Sequence, residues 1–198
     1  MNETMSGIIL LYHTGFREIR EPDVHFGRKN ADFGQGFYMT AEREFASRWA
    51  TEQKGASAWM NSYEMDLSGL RIYRFERDAS WYDYIRNNRA GKKDAIPDAD
   101  LIIGPIANDT IYNTYGILTS GLLSPEEALR LLRIGPEYVQ YALKTEKAAS
   151  QLRWLSVQEI RAESIRMYRS LLAEEEKIYQ QQLSAEMEAM TKEQSETD

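Results

Sequence analysis

The apolar positions of this chain fall into many short runs, and most runs carry the period of a strand. Residues 8–12 (Ile-Ile-Leu-Leu-Tyr) read as a short buried strand leading into His13. Residues 14–37, rich in Gly, Pro, Asp and Asn, read as a loop. Thr40 is placed to cap a helix over 41–53, with Glu42 and Glu44 in its first turn and Phe45 and Trp49 on one face. Residues 61–66 and 70–75 alternate as strands on either side of a Ser68-Gly69 turn, and 80–89 form an aromatic helix. The polar stretch 91–98 is a loop. Residues 101–106 form a strand that Gly104-Pro105 ends abruptly.

The second half is marked by helix starts. Ser124-Pro125-Glu126-Glu127 has a capping serine, a proline at the first helical position and a glutamate at the third, and its helix stops before Gly135-Pro136. Residues 138–143 read as a strand, 145–151 as a short helix and 153–156 as a strand. Ser156 and Glu159 look like a second capping box, opening a long helix with Ile160, Met167, Leu171 and Ile178 at near-helical spacing. After Gln180 the chain turns polar and acidic. The expected anatomy is a mixed domain over 1–157, a helix over 158–180 and a disordered tail over 181–198. Short strands without regular strand–helix alternation predict an α+β fold. Two packed, antiparallel-rich sheets should form a cleft lined by His13 and Tyr38.

Composition removes several kinds of chemistry. Lys plus Arg number 24 against 31 Asp plus Glu, a net charge of −7, so the chain as a whole does not coat nucleic acid. There is no cysteine and there are only two histidines, His13 and His25, which leaves no thiol nucleophile and no Cys- or His-rich metal site. The 42% hydrophobic content is enough for a core. The longest early apolar run, at 8–11, is too short for a signal core or a membrane span, so a cytoplasmic protein without membrane partners is expected.

Three places carry candidate chemistry. Tyr12-His13-Thr14 ends the first strand. Asp32-Phe33-Gly34-Gln35-Gly36-Phe37-Tyr38 has glycines two apart, which permit a sharp turn or a close backbone approach to a ligand, without the strand and spacing of a dinucleotide-binding turn. Tyr138-Val139-Gln140-Tyr141 lies in a late strand. Taken singly, each is more often structural than functional.

Taken in order, they resemble the ADP-ribosyltransferase superfamily of the diphtheria-toxin type. There a His on the first strand, a Tyr after a Gly-x-Gly turn and a Glu or substitute on a late strand build an NAD site. More closely, the chain resembles a bacterial family of domain-of-unknown-function proteins assigned to that superfamily. The matching pieces are Leu11-Tyr12-His13, residues 32–40, Trp49-Ala50, 81–89, 100–109, and Gln140-Tyr141 followed by Thr145-Glu146-Lys147-Ala148. The resemblance covers residue 8 to about 156 and not the segment beyond 160. It implies a split β-sandwich with flanking helices, to which the spacing beyond 157 adds a C-terminal helical tail, and NAD as co-substrate. His13 would bind the adenosine ribose, the Thr14 backbone the nicotinamide amide, Tyr38 the nicotinamide ring by stacking, and Gln140 the nicotinamide ribose. Gly34 and Gly36 would let the backbone meet the cofactor. Arg28, with Arg17, Arg20 and Lys29 in the same loop, is a candidate for the pyrophosphate. Two departures stand out: Thr14 where glycine is usual, with Gly15 one place later, and glutamine rather than glutamate at 140.

The implied activity is mono-ADP-ribosylation of a macromolecule, protein or nucleic acid. Relatives of this kind often serve as toxins or in conflict systems, which implies a partner protein that neutralises the activity. The alternatives are an NAD glycohydrolase and a catalytically inert NAD- or ligand-binding module. The late-strand residue is itself a choice between Glu137 and Gln140. Side chains three apart on a strand point to opposite faces, and a neutral amide is easier to bury than a charge, so Gln140 is expected to act.

Overall fold

The computed structural model describes residues 2–3, 7–50, 57–111, 117 and 121–197. In chain order the elements are β1 (Asn2–Glu3), β2 (Ile8–Gly15), β3 (Phe37–Met39), α1 (Arg43–Arg48), β4 (Ala58–Asp66) and β5 (Ile72–Arg74). Then come α2 (Ala79–Arg89), β6 (Leu101–Pro105), α3 (Asn108–Ile111), α4 (Pro125–Leu132), β7 (Val139–Leu143), α5 (Glu146–Ser150), β8 (Leu152–Ile160) and α6 (Ala162–Thr197). The fold is α+β, with two sheets. One has the order β1-β5-β6-β7-β3, with only the β5–β6 pair parallel; the other is the antiparallel β2-β4-β8.

Three layers result. Leu11, Tyr63 and Met65 of the smaller sheet meet Phe37, Met39, Ile72, Leu101, Ile103 and Leu143 of the larger one in a single buried cluster. On the other face of the larger sheet, Ile102 and Ala142 meet Trp81 and Ile85 of α2, Leu131 and Leu132 of α4, and Tyr179, Leu183 and Met190 of α6. Covered on both sides, β6 is buried at every position, which explains its unbroken apolar sequence. A third cluster, with Tyr12, Ala46, Met60, Ile160 and Ile165, seats α1 and the start of α6 on the smaller sheet.

Four expectations are corrected. First, Ile8 and Leu10 are exposed, because β2 is an edge strand with one face to solvent, and only Leu11 and Tyr12 are buried. Second, α1 spans only Arg43–Arg48, and its capping position, Glu42, makes no side-chain cap bond. Thr40 Oγ1 accepts from the Glu42 N–H instead. The expected helix residues 51–53 lie outside the described residues. Third, Ser156–Glu159 is strand, not a helix start. These residues pair with 59–62 of β4, and the helix begins at Ala162. Fourth, the segment expected to be a disordered tail continues α6 to Thr197, with Leu183 and Met190 buried. Residue 198 lies outside the described residues. Among the described residues no helix is long and apolar enough to cross a membrane.

Candidate functional site

The two sheets meet where β2 and the end of β3 exchange backbone hydrogen bonds. Tyr12 N–H donates to Thr40 O at 2.8 Å, and Thr40 N–H donates to Tyr12 O at 3.0 Å. This splice sets His13 beside Tyr38. A cavity of about 90 Å³ opens there, lined by Tyr12, His13, Thr14, Tyr38, Met39, Thr40, Phe45, Ala46, Trp49, Ile106 and Gln140. His13, Tyr38 and Gln140, taken from three separate strands, thus line one space. Thr14 joins them, with its hydroxyl donating to Ala46 O at 2.6 Å on α1.

Local contacts fix each group. His13 Nδ1 lies 2.8 Å from Tyr38 O. A carbonyl only accepts, so Nδ1 carries the proton and Nε2 is left as an acceptor in the neutral ring. Burial pushes the imidazole below its ordinary pKa, outweighing the opposite pull of that hydrogen bond, so His13 is neutral at neutral pH. Behind His13, the buried Asn61 of β4 ties down the following loop. Its oxygen accepts from Ile19 N–H at 2.8 Å and its amide donates to Arg17 O at 3.0 Å.

The Tyr38 hydroxyl belongs to the turn before it, donating to Gly34 O at 2.6 Å and accepting from Phe33 N–H at 3.0 Å. Burial, with the Asp32 charge adding to it, raises its pKa far above the working range, so it stays a donor. Its ring face is what remains for a ligand. Phe45 and Trp49, the pair noted on one helix face, meet edge to face at 5.6 Å, and Phe45 stacks on Tyr138 at 4.0 Å. Trp49 is half-exposed and lines both this cavity and a neighbouring one formed with Arg48, Ile111, Tyr138, Leu172 and Glu175.

The remaining sequence candidates lie elsewhere. Gly34 and Gly36 do not line the cavity. Gly34 has φ +75°, and a Cβ there would sit 2.9 Å from Lys144 Nζ. A Cβ at Gly36 would sit 2.5 Å from Leu143 O. Gly34 is favoured by its left-handed φ, and Gly36 is required by the close approach of the Leu143 backbone. Gly34 and Lys29 border a separate, polar cavity of about 360 Å³ with Lys92, Lys144 and Asp94. Burial there lowers the Lys144 pKa, with Asp94 opposing. Arg28 is exposed and lies outside the cavity lining. Arg20 bonds Glu18 and lies over the Trp154 ring, and Arg17 lies over Phe26. Glu137 precedes β7, is exposed, and lies 3.8 Å from Arg77 Nε.

Sequence reasoning missed Asp32 as a site residue. It is buried, and it bonds both Arg89 and Gln140. An Asp beside a Gly-x-Gly turn was visible, but its partners lie more than fifty residues away. Among the described residues, no three His, Asp or Glu side chains gather to hold a metal ion. The lining is neutral and aromatic, with two fixed acceptors, and suits an uncharged or cationic ring and hydroxyl groups.

Tyr38 allows a separation of roles. Tyr38→Phe keeps the ring face and strands the Phe33 N–H and Gly34 carbonyl, so it should cost about 1–3 kcal/mol of stability while holding NAD affinity within about threefold. Tyr38→Ala should lose both. Denaturant unfolding and calorimetric titration with NAD check this, and equal NAD affinity in all three proteins would remove Tyr38 from the site.

A family model described as a protein of unknown function (DUF3990) matches residues 9–154, well over half of the chain. No curated protein and no solved structure matches it.

Proposed function

The chain belongs to the DUF3990 family of proteins of unknown function, and from that premise we propose that it is an NAD-dependent mono-ADP-ribosyltransferase with an ADP-ribosyltransferase-like split β-sandwich. The observation that carries this reading is the convergence of His13, Tyr38 and Gln140 on one cavity at the splice of the two sheets.

The chemistry asks little of the protein beyond placement. When the bond between ribose C1′ and the nicotinamide nitrogen breaks, its electron pair leaves with the ring, which becomes neutral, and the sugar becomes electron-poor. An acceptor hydroxyl, amine or amide then bonds C1′ and releases a proton to solvent. The protein must hold the cofactor bent and orient the sugar. The ring face of Tyr38 is available to the nicotinamide, Gln140 to the nicotinamide ribose and His13 Nε2 to the adenosine ribose. A neutral, aromatic lining suits the positively charged ring of the substrate. A glutamine cannot place a negative charge beside the sugar cation or act as a base, which favours a single transfer over chain building.

In this proposal the acceptor is a protein or nucleic acid of the cytoplasm. The enzyme acts as the toxin of a toxin–antitoxin or defence system, with a neutralising partner protein. Incubation of the full chain with labelled NAD and cell lysate, followed by protease or nuclease digestion, tests it. The expected result is label on a macromolecule, released by one of the two digestions. Free ADP-ribose alone would make the protein an NAD glycohydrolase. NAD binding without consumption would make it an inert module, and no binding at all would end the reading.

A further inference from the structure

Gln140 is held by a buried charge. Asp32 and Gln140 are 7% and 6% exposed, one from the turn before β3 and the other from β7. Gln140 Nε2 donates to Asp32 Oδ2 at 3.1 Å and to Pro105 O at 3.4 Å. The other carboxylate oxygen, Asp32 Oδ1, accepts from Arg89 Nε at 2.9 Å and Nη2 at 2.7 Å. Asn88, the preceding residue of α2, donates to the Asp32 carbonyl at 3.1 Å, so one helix grips this aspartate by both backbone and side chain. Ala107 N–H adds a contact to Oδ2 at 3.4 Å.

We propose that Asp32 is the positioning residue of the site. It takes the Gln140 amide nitrogen, leaves the amide oxygen as the group offered to the cavity, and restricts position 140 to a neutral amide. The orientation follows from the inventory of groups. Both neighbours of the amide nitrogen, a carboxylate and a carbonyl, only accept, so a turned amide would set oxygen against oxygen twice. With His13 Nδ1 spent on Tyr38 O, the cavity presents two acceptors, Gln140 Oε1 and His13 Nε2, and no cationic side chain. Its ligand class is therefore one that donates there: sugar hydroxyls or a carboxamide. No cationic side chain lines this spot to meet a phosphate. The same contact accounts for glutamine at this position. A glutamate at 140 would press a second carboxylate onto Asp32, and two carboxyls at that distance share a proton. The meaning of this arrangement for a ligand rests on the NAD reading; the charge geometry does not.

The test uses the full chain and variants Gln140→Glu, Asp32→Asn and the double variant, with melting temperature followed against pH. In Gln140→Glu the carboxyl pair holds a proton more tightly folded than unfolded. The variant should match the parent near about pH 4, below the unfolded glutamate value, and fall behind as pH rises. A proton held about two pKa units above the unfolded value corresponds to a deficit of about 5–11 °C near about pH 8. Compared with Asp32→Asn alone, the double variant should show no such pH-dependent deficit, since the new asparagine amide can donate to the new carboxylate. A deficit that does not change with pH, or one that persists in the double variant, overturns the proposal. Asp32→Asn itself frees the Gln140 amide to turn, and should lower NAD turnover about tenfold at little change in NAD affinity; full turnover would also overturn it. If the pH pattern appears in a protein that neither binds nor consumes NAD, the positioning contact stands and the NAD reading falls.

Discussion

Gln140→Ala should lose about 10²-fold in NAD turnover with NAD affinity changed by no more than about threefold, while Glu137→Ala stays within about twofold of the parent. The two residues are three apart, yet their surroundings differ completely. Gln140 is buried, lines the cavity and has its amide fixed by Asp32 and Pro105. Glu137 stands before the strand begins, exposed and beside Arg77, on no wall of the cavity. An orienting hydrogen bond matters most when the sugar must be held for bond breaking and little for overall affinity, which also comes from the ring and the adenosine half. The alanine variant should remain folded. Asp32 keeps Arg89 and the Ala107 N–H, and Pro105 O keeps the Trp81 indole N–H, so losing the two Gln140 bonds, at about 0.5–1.5 kcal/mol each, leaves neither acceptor without a partner. An NAD-consumption assay beside a thermal melt separates lost chemistry from lost fold. The reverse pattern, with Glu137→Ala inactive and Gln140→Ala normal, would make Glu137 the catalytic residue.

That Gln140 is buried and Glu137 exposed was legible in the sequence, because Gly135-Pro136 delays the strand and leaves Glu137 before its start. The Ser124 capping box was legible too, and the structure shows both of its reciprocal hydrogen bonds. Ser156 and Glu159 have the same spacing and yet lie in a strand. The difference is tertiary. Pro125 cannot serve a central ladder, whereas 156–160 finds the whole first half of β4 as a partner. A local signal worth about 1 kcal/mol yields to a ladder of backbone hydrogen bonds with buried residues behind it.

Other features were hidden because they are contacts between distant segments. No local pattern announces that Asp32 meets Arg89 on α2 and Gln140 on β7, or that Asn61 pins the loop after His13. The packing of the glycine pair was hidden for a related reason. A Gly-x-Gly turn looks the same whether its missing Cβ atoms make room for a ligand or for the protein itself. Here Lys144 and the Leu143 carbonyl fill that room. The sequence motif marks the turn that holds Tyr38 and Asp32 in place.

The C-terminal helix leads to the second large effect: a chain ending at Gln180 should melt about 6–24 °C below the full chain. Composition argues the other way, since residues 181–198 are mostly polar and acidic. Spacing decides it. Tyr179, Leu183 and Met190 fall on one side of α6 and are buried against α2, α4 and the larger sheet, while Met187 faces out. Removing Leu183 and Met190 withdraws about 1.5–3 kcal/mol each, or about 3–6 kcal/mol together, and uncovers Leu131 and Leu132 as well. In a chain of this size each kcal/mol shifts the midpoint by about 2–4 °C. The polar contacts at this end, from Arg130 to Glu186 and Glu193 and from Gln194 to Glu127, lie at the surface and fix the helix's direction more than they add stability. Leu183→Ala within the full helix should reproduce a large part of the loss, and Met187→Ala should not. A truncated chain that melts with the parent would show that the helix beyond Gln180 stands away from the core.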